Sequence, residues 1–163
     1  EIGEFLIEVE AVHKITGKIY QIPVKSLSLG YRKNSLIDDF IFTKATFLLK
    51  YERDQNKIDK NISKFSKMRL ISQPIGTKTG GSSFKNPNPE VSKYKAWELI
   101  DLAGFRGFVL GGAKVSDKHT NFLINTGKAT ARDLEQLGEL IRKEVQEKFD
   151  ITLEWEIKRI GRI

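Results

Sequence analysis

Polar and apolar residues alternate from Glu4 to Val12, placing Phe5, Ile7 and Val9 on one face, which predicts a half-buried strand. Ile15-Thr16-Gly17-Lys18 supplies a turn, and Ile19 to Val24 returns as a second strand. Lys25 to Asp39 carries no period. Phe40 to Tyr51 is β-rich, with Ile41, Phe42, Phe47, Leu48 and Leu49. The period then changes. Ile58, Ile62, Phe65 and Met68 or Arg69 recur at helical spacing and predict a helix over Asp54 to Arg69. Leu134, Leu137, Ile141 and Val145 form the best stripe in the chain and predict a helix over Ala131 to Phe149, roughly 28 Å long at about 1.5 Å per residue. Ile151, Leu153, Trp155 and Ile157 alternate strictly with Thr152, Glu154, Glu156 and Lys158, the pattern of a last strand.

Shorter elements fill the middle. Lys95 to Ala103, with Trp97, Leu99, Ile100 and Ala103, reads as a short helix that Gly104 closes. Phe108 to Leu110 and Phe122 to Ile124 are short β-like runs, and Gly111-Gly112 between them points to a bulge or a close backbone approach. Thr130 is placed to cap the long helix, with Asp133 three residues on as a variant capping box. Glu139 with Lys143 and Glu144 with Lys148 stand four apart, where opposite charges add a few tenths of a kcal/mol. Gly138 lies beside the apolar stripe. Its cost of about 1 kcal/mol relative to alanine implies tight packing there.

One stretch follows neither period. Ser72 to Pro89 is rich in Gly, Pro, Thr and Ser and reads as a long loop around Gly80-Gly81-Ser82-Ser83-Phe84-Lys85-Asn86-Pro87. Paired glycines let a backbone approach a ligand closely. The two hydroxyls, the ammonium and the amide that follow suit a phosphate, although a plain surface loop has the same composition.

Composition narrows the classes. The 163 residues suffice for one ordinary domain or two small ones, with 39% hydrophobic and 30% charged residues. No apolar run is long enough to predict a membrane span, and no signal-peptide pattern opens the sequence. Without cysteine there is no disulfide or thiolate metal site, and with only His13 and His119 no multi-histidine site is expected. The net charge of +7 fits an anionic substrate, an acidic surface or nucleic acid. The lysines are spread out, however, and the densest basic segment, Lys57 to Arg69, reads as the solvated face of a helix.

The order of the pieces carries more than any one of them. Gly30-Tyr31-Arg32 with Ser35 comes first, then Gly81-Ser82-Ser83-Phe84-Lys85-Asn86-Pro87, Ala96-Trp97-Glu98-Leu99-Ile100 and Ala103-Gly104. Gly111 to His119, Asn121 to Asn125, Ala129 to Asp133 and Leu153 to Gly161 follow. In that order these motifs resemble the UDP-N-acetylenolpyruvoylglucosamine reductase family, flavoenzymes of peptidoglycan precursor synthesis. The resemblance runs through essentially all of the sequence but covers only the C-terminal portion of the family's chain, without the glycine-rich loops that hold the flavin pyrophosphate. The spacing resembles the family's shorter form. Lys158 stands where an arginine is usual.

The resemblance implies an α+β fold: a C-terminal part of the FAD-binding region over 1–71, an α+β substrate-binding domain over 72–150, and a terminal strand over 151–163 packing toward the FAD-binding region. It implies a cytoplasmic NADPH-dependent FAD oxidoreductase, monomeric or completed by the other half of the chain. Its substrate would be a UDP-sugar, with no nucleic acid, membrane or metal involved, and this portion alone would be inactive. Arg32, Ser82 and Glu156 carry over as catalytic. Tyr31, Gln73, Lys85 and Asn86 carry over toward the substrate, and Arg32, Gly111, Gly112 and Lys158 toward the cofactor, the two glycines being equally well read as turn residues. In the implied reaction, hydride reaches the terminal carbon of an enolpyruvyl ether and Ser82 protonates the neighbouring carbon. Arg32 and Glu156 stabilise the intermediate between, and Lys85 backs Ser82 or meets the diphosphate. His119 is expected to be structural or to edge the flavin pocket. Taken without the resemblance, Arg32 is a surface arginine after a turn and Glu156 a solvated strand carboxylate. The alternative to an enzyme is a basic α+β module binding an anionic partner such as RNA, against which stands the lack of aromatics interleaved on a basic face.

Overall fold

The computed structural model of this chain describes residues 2–161. They fall into two compact units, Glu1–Gln55 and Asn56–Ile163. In the first unit, β1 (Leu6–His13), β2 (Ile19–Pro23) and β3 (Phe40–Phe47) make an antiparallel sheet in the order β2-β1-β3. Alternation along β1 puts Val9 and Ala11 on the buried face, where they meet Ile22 and Leu27, with Leu6, Leu36 and Phe40 around them. Of the predicted inward set only Val9 is buried; Phe5 and Ile7 are exposed. The β1–β2 turn carries Gly17 at φ 67°, and His13 Nδ1 accepts the amides of Ile15 and Thr16.

The second unit holds α1 (Gln55–Ser72), β4 (Lys78–Ser82), α2 (Ala96–Leu102), β5 (Val109–Leu110), β6 (Ala113–Val115), β7 (Phe122–Asn125) and α3 (Ala131–Phe149). The sheet is antiparallel in the order β4-β7-β6-β5. α3 packs across β5, β6 and β7 and against α2. Leu137, Ile141 and Val145 on α3 are fully buried against Leu99, Ile100 and Val115. Each such side chain contributes about 1.5–3 kcal/mol by leaving water. The architecture is α+β, as the sequence predicts.

The ends of α3 follow their sequence signals. Thr130 Oγ1 accepts from Asp133 N at 3.1 Å and Asp133 Oδ2 accepts from Thr130 N at 2.9 Å, a reciprocal cap. Asp150 closes the helix at φ 56°, its amide donating to Gln146 O. Gly138 has the tight packing expected: a Cβ there would stand 1.9 Å from Trp155 Cη2.

Three expectations are corrected, and one strand was not foreseen. The run from Ser72 to Pro89 is not a loop throughout, because it contains β4. A strand of Lys, Thr, Gly and Ser shows no apolar period, and it is held through its backbone by β7. β6 was hidden by its length of three residues. Conversely, Ile151–Ile157 is no sheet strand. Its alternation is real, with Leu153 fully buried, but its backbone pairs only at an isolated bridge between Phe84 and Trp155. Glu139 does not pair with Lys143. It turns to Arg142 at 2.6 Å and accepts Trp155 Nε1–H at 2.9 Å, where a half-buried indole must find a partner. The Glu144–Lys148 pair is present at 3.4 Å.

Candidate functional site

The candidate site in the second unit is built on the end of β4. A register shift between Thr79 and Ser82 makes a bulge at Gly80-Gly81, with Gly81 at φ 88°. The bulge lets the chain turn so that Ser83–Lys85 runs between two neighbours. On one edge, Ser83 N donates to Asn121 O at 2.8 Å. The Asn121 side chain takes both polar groups of Phe84, accepting its N–H at 2.9 Å and donating to its carbonyl at 2.8 Å. On the other edge, Glu156 N donates to Ser83 O and Lys85 N to Glu154 O, both at 2.8 Å.

Ser82 and Glu156, distant in sequence, are thus separated by one residue and a shared backbone hydrogen bond. Both are half-buried. Beside them lies a cleft of about 410 Å³ lined by residues that include Lys78, Gly80, Ser83, Asn125 and Ile157.

The terminal segment that carries Glu156 is clamped to α3. Trp155 lies over Gly138 and stacks on Phe84 with ring centroids 4.6 Å apart. Arg142 Nε donates to Leu153 O at 2.8 Å, and Arg159 lies over the indole at 5.5 Å. Partial burial opposes ionisation of Glu139. The hydrogen bonds from Trp155 and Arg142 outweigh it and, with the charges of Arg142 and Arg159, hold the carboxyl below its usual pKa.

The other predicted residues are distributed as follows. Lys85 pairs with Glu154 at 3.0 Å. Asn86 Oδ1 accepts Ala96 N at 3.0 Å and so satisfies one of the orphan amides at the start of α2. Gln73 accepts Arg69 Nε at 3.1 Å, and Lys158 is exposed. His119 packs between Trp97 and Phe122, and burial holds its pKa below the usual range. Arg32 and Tyr31 lie in the other compact unit, at the tip of a turn closed by reciprocal Gly30–Lys33 backbone hydrogen bonds. Arg32 has φ 58° and its guanidinium lies 5.7 Å from the Tyr31 ring centre. A non-glycine residue in that conformation costs about 1 kcal/mol or more, so the turn holds the arginine in place at some expense.

Gly111 and Gly112 form the two-residue turn between β5 and β6. The space over Gly112 is filled by the protein itself, since a Cβ there would lie 2.3 Å from Ala129 N. Over Gly111 stands the Asp133 carboxylate. A closely approaching backbone and a negative charge leave no cradle for a phosphate, so the approach these glycines permit is that of the α3 N-terminus. The residue that sequence reasoning left without a role is Asn121. A polar residue just ahead of a short apolar β run was the signal, and it names no partner.

The profile of the UDP-N-acetylenolpyruvoylglucosamine reductase C-terminal domain matches residues 73–160, more than half of the chain. The UDP-N-acetylenolpyruvoylglucosamine reductase of Novosphingobium aromaticivorans is 44% identical over 162 residues, covering 99% of this chain and 52% of the relative. That of Rickettsia prowazekii is 43% identical over 159 residues, covering 98% and 52%. The crystal structure of UDP-N-acetylenolpyruvylglucosamine reductase from Thermus caldophilus aligns with a TM-score of 0.75 at 34% identity, over 94% of this chain and 53% of that one. The chain therefore spans about half the length of the curated relatives it matches.

Proposed function

Because this chain belongs to the UDP-N-acetylenolpyruvoylglucosamine reductase family, we propose that it supplies the proton-donating and substrate-side half of that reduction. The observation that carries the reading is the backbone bridge that brings Ser82 and Glu156 to one place beside a cleft. Reduction of an enolpyruvyl ether adds hydride to one carbon and a proton to its bonded neighbour, so the groups serving the two must share one small volume. Ser82 gives its hydroxyl proton to the carbon bearing the ether oxygen. Glu156 hydrogen-bonds the carboxylate side of the intermediate, where the negative charge has spread. Arg32, always charged, stabilises the same charge. Lys85 and Asn86 stand three and four residues from Ser82, toward the diphosphate of a UDP-sugar, with Tyr31 and Gln73 as further substrate contacts.

FAD is the cofactor this chemistry asks for, with NADPH as its reductant. Bound FAD would supply the hydride. Arg32 and Lys158, both exposed cations, suit the anionic parts of such a cofactor. Gly111 and Gly112 do not, for the reason given above. In this reading residues 1–71, which take in the first unit and nearly all of α1, are the end of the FAD-binding region, and residues 72–150 are the substrate domain. A basic RNA-binding module finds no support in the comparisons. Among the described residues, no helix is long and apolar enough to cross a membrane.

The test is a split of the two half-reactions in the full-length reductase. Ser82→Ala is expected to leave flavin reduction by NADPH within about 2-fold and to slow reoxidation by the enolpyruvyl substrate by about 10²–10⁴-fold, the usual worth of a positioned acid. Reoxidation at the parent rate would remove Ser82 from the mechanism.

A further inference from the structure

We infer that Asn121 is a positioning residue for this site: its side-chain amide sets where Ser82 stands relative to Glu156. The inference rests on the reading of Ser82 and Glu156 given above. β7 begins at Phe122, which pairs with Ser82, so the regular ladder that holds β4 ends at Ser82 and does not reach Ser83–Lys85. Asn121 continues it with a side chain. Its Oδ1 accepts Phe84 N–H and its Nδ2 donates to Phe84 O, while its own carbonyl accepts Ser83 N–H. These three bonds leave the opposite edge of Ser83–Lys85 to the segment carrying Glu156. One buried residue, 4% exposed, therefore locks the strand that joins the two candidate groups.

Only a side-chain amide fits this role. It must offer a donor and an acceptor side by side, as a backbone peptide does, and of the side chains of this length only asparagine has both. Asn121 is itself fixed: its backbone N–H donates to His119 Nδ1 at 3.3 Å, and Phe122 N donates to His119 O at 3.0 Å. Burial between Trp97 and Phe122 lowers the His119 pKa and so favours the neutral imidazole, the form in which Nδ1 accepts. The same contacts account for His119, which the reaction does not require.

The test uses the full-length reductase with Asn121→Leu, similar in volume but without either hydrogen bond, and Asn121→Asp, which keeps the acceptor alone. Asn121→Leu is expected to slow reoxidation by the enolpyruvyl substrate about 10²-fold, the scale of an ångström of misplacement, while NADPH reduction stays within about 2-fold. Asn121→Asp should fall between, and it tests the idea if the leucine variant does not fold. Amide hydrogen exchange at Phe84 and Lys85 should rise in Asn121→Leu, and by less in Asn121→Asp, which still accepts Phe84 N–H, while the amides of Leu137 and Ile141 stay protected. The double variant Ser82→Ala/Asn121→Leu should be no slower than Ser82→Ala by more than about 2-fold, because two changes acting through one group do not add. Equal slowing of both half-reactions, exchange rising throughout α3, or an additive double variant would overturn the inference and leave Asn121 a core residue. Ser82→Ala at the parent rate would instead bring down the reading beneath it. A slow Ser82→Ala beside a normal Asn121→Leu would remove Asn121 alone.

Discussion

The two compact units differ in how they are held. In Asn56–Ile163, α2 and α3 press on a four-stranded sheet and bury a continuous core that runs from Phe84 through Leu99, Val115, Leu137 and Ile141 to Leu153. In Glu1–Gln55, three strands enclose a small core of Val9, Ala11, Ile22 and Leu27, and Ile7, Tyr20, Ile41 and Phe42 remain exposed. The same contrast recurs within the second unit. α1 and α3 have 18 and 19 residues and each carries an apolar stripe, yet α1 buries none of its residues while α3 buries Leu137, Gly138, Ile141 and Val145. A helix stripe is an offer of burial, and its energetic value depends on what stands opposite.

That contrast can be broken by paired substitutions. Leu137→Ala on α3 is expected to cost about 2–5 kcal/mol, and Ile62→Ala on α1 less than about 0.5 kcal/mol. Denaturant unfolding with matched m-values measures both. Equal losses would mean that α1 is held by contacts its exposure does not reveal.

A smaller effect is expected where the packing is tight rather than extensive. Gly138→Ala would drive a methyl group into the Trp155 ring, which has to move. Overpacking of this kind costs about 1–3 kcal/mol. It should also loosen the Trp155 Nε1–Glu139 hydrogen bond and so shift the emission of the indole toward that of an exposed one. An unchanged spectrum would place the ring elsewhere. Thr130→Ala removes the cap of α3 and is expected to cost about 1 kcal/mol, read as a lowered Tm.

The smallest effect is one of pH. Hydrogen bonds from the Thr130 backbone amide and hydroxyl, and from Gly112 N, hold the Asp133 carboxyl below its usual pKa. A carboxyl with a depressed folded-state pKa adds stability that is present above the unfolded-state value and lost as pH falls through the folded one. Stability should therefore fall below about pH 4. Asp133→Asn should reduce that slope in urea titrations between acidic and neutral pH, and an unaltered slope would remove Asp133 from the acid response.

Much of this molecule was legible because local physics repeats itself. The 3.6-residue stripe and the Thr130–Asp133 box announced α3 to within a residue at each end. Gly138, costly in a helix, announced tight packing, which the Trp155 ring supplies. The order of short motifs was enough to indicate the family. Sequence could not reveal β4, because a Gly-Ser strand owes its place to the backbone of β7 and leaves no mark in side-chain hydropathy. Nor could it show that the alternation of Ile151–Ile157 is spent on packing against α3 rather than on a sheet ladder. The choice of Arg142 and Trp155 over Lys143 as partners of Glu139 was equally out of reach. Spacing brings Lys143 within range, but only the tertiary arrangement sets an indole N–H that needs an acceptor beside the helix. Asn121 marks the division most clearly. Its residue type declares one donor and one acceptor, and only the folded chain determines that both are met by the backbone of Phe84.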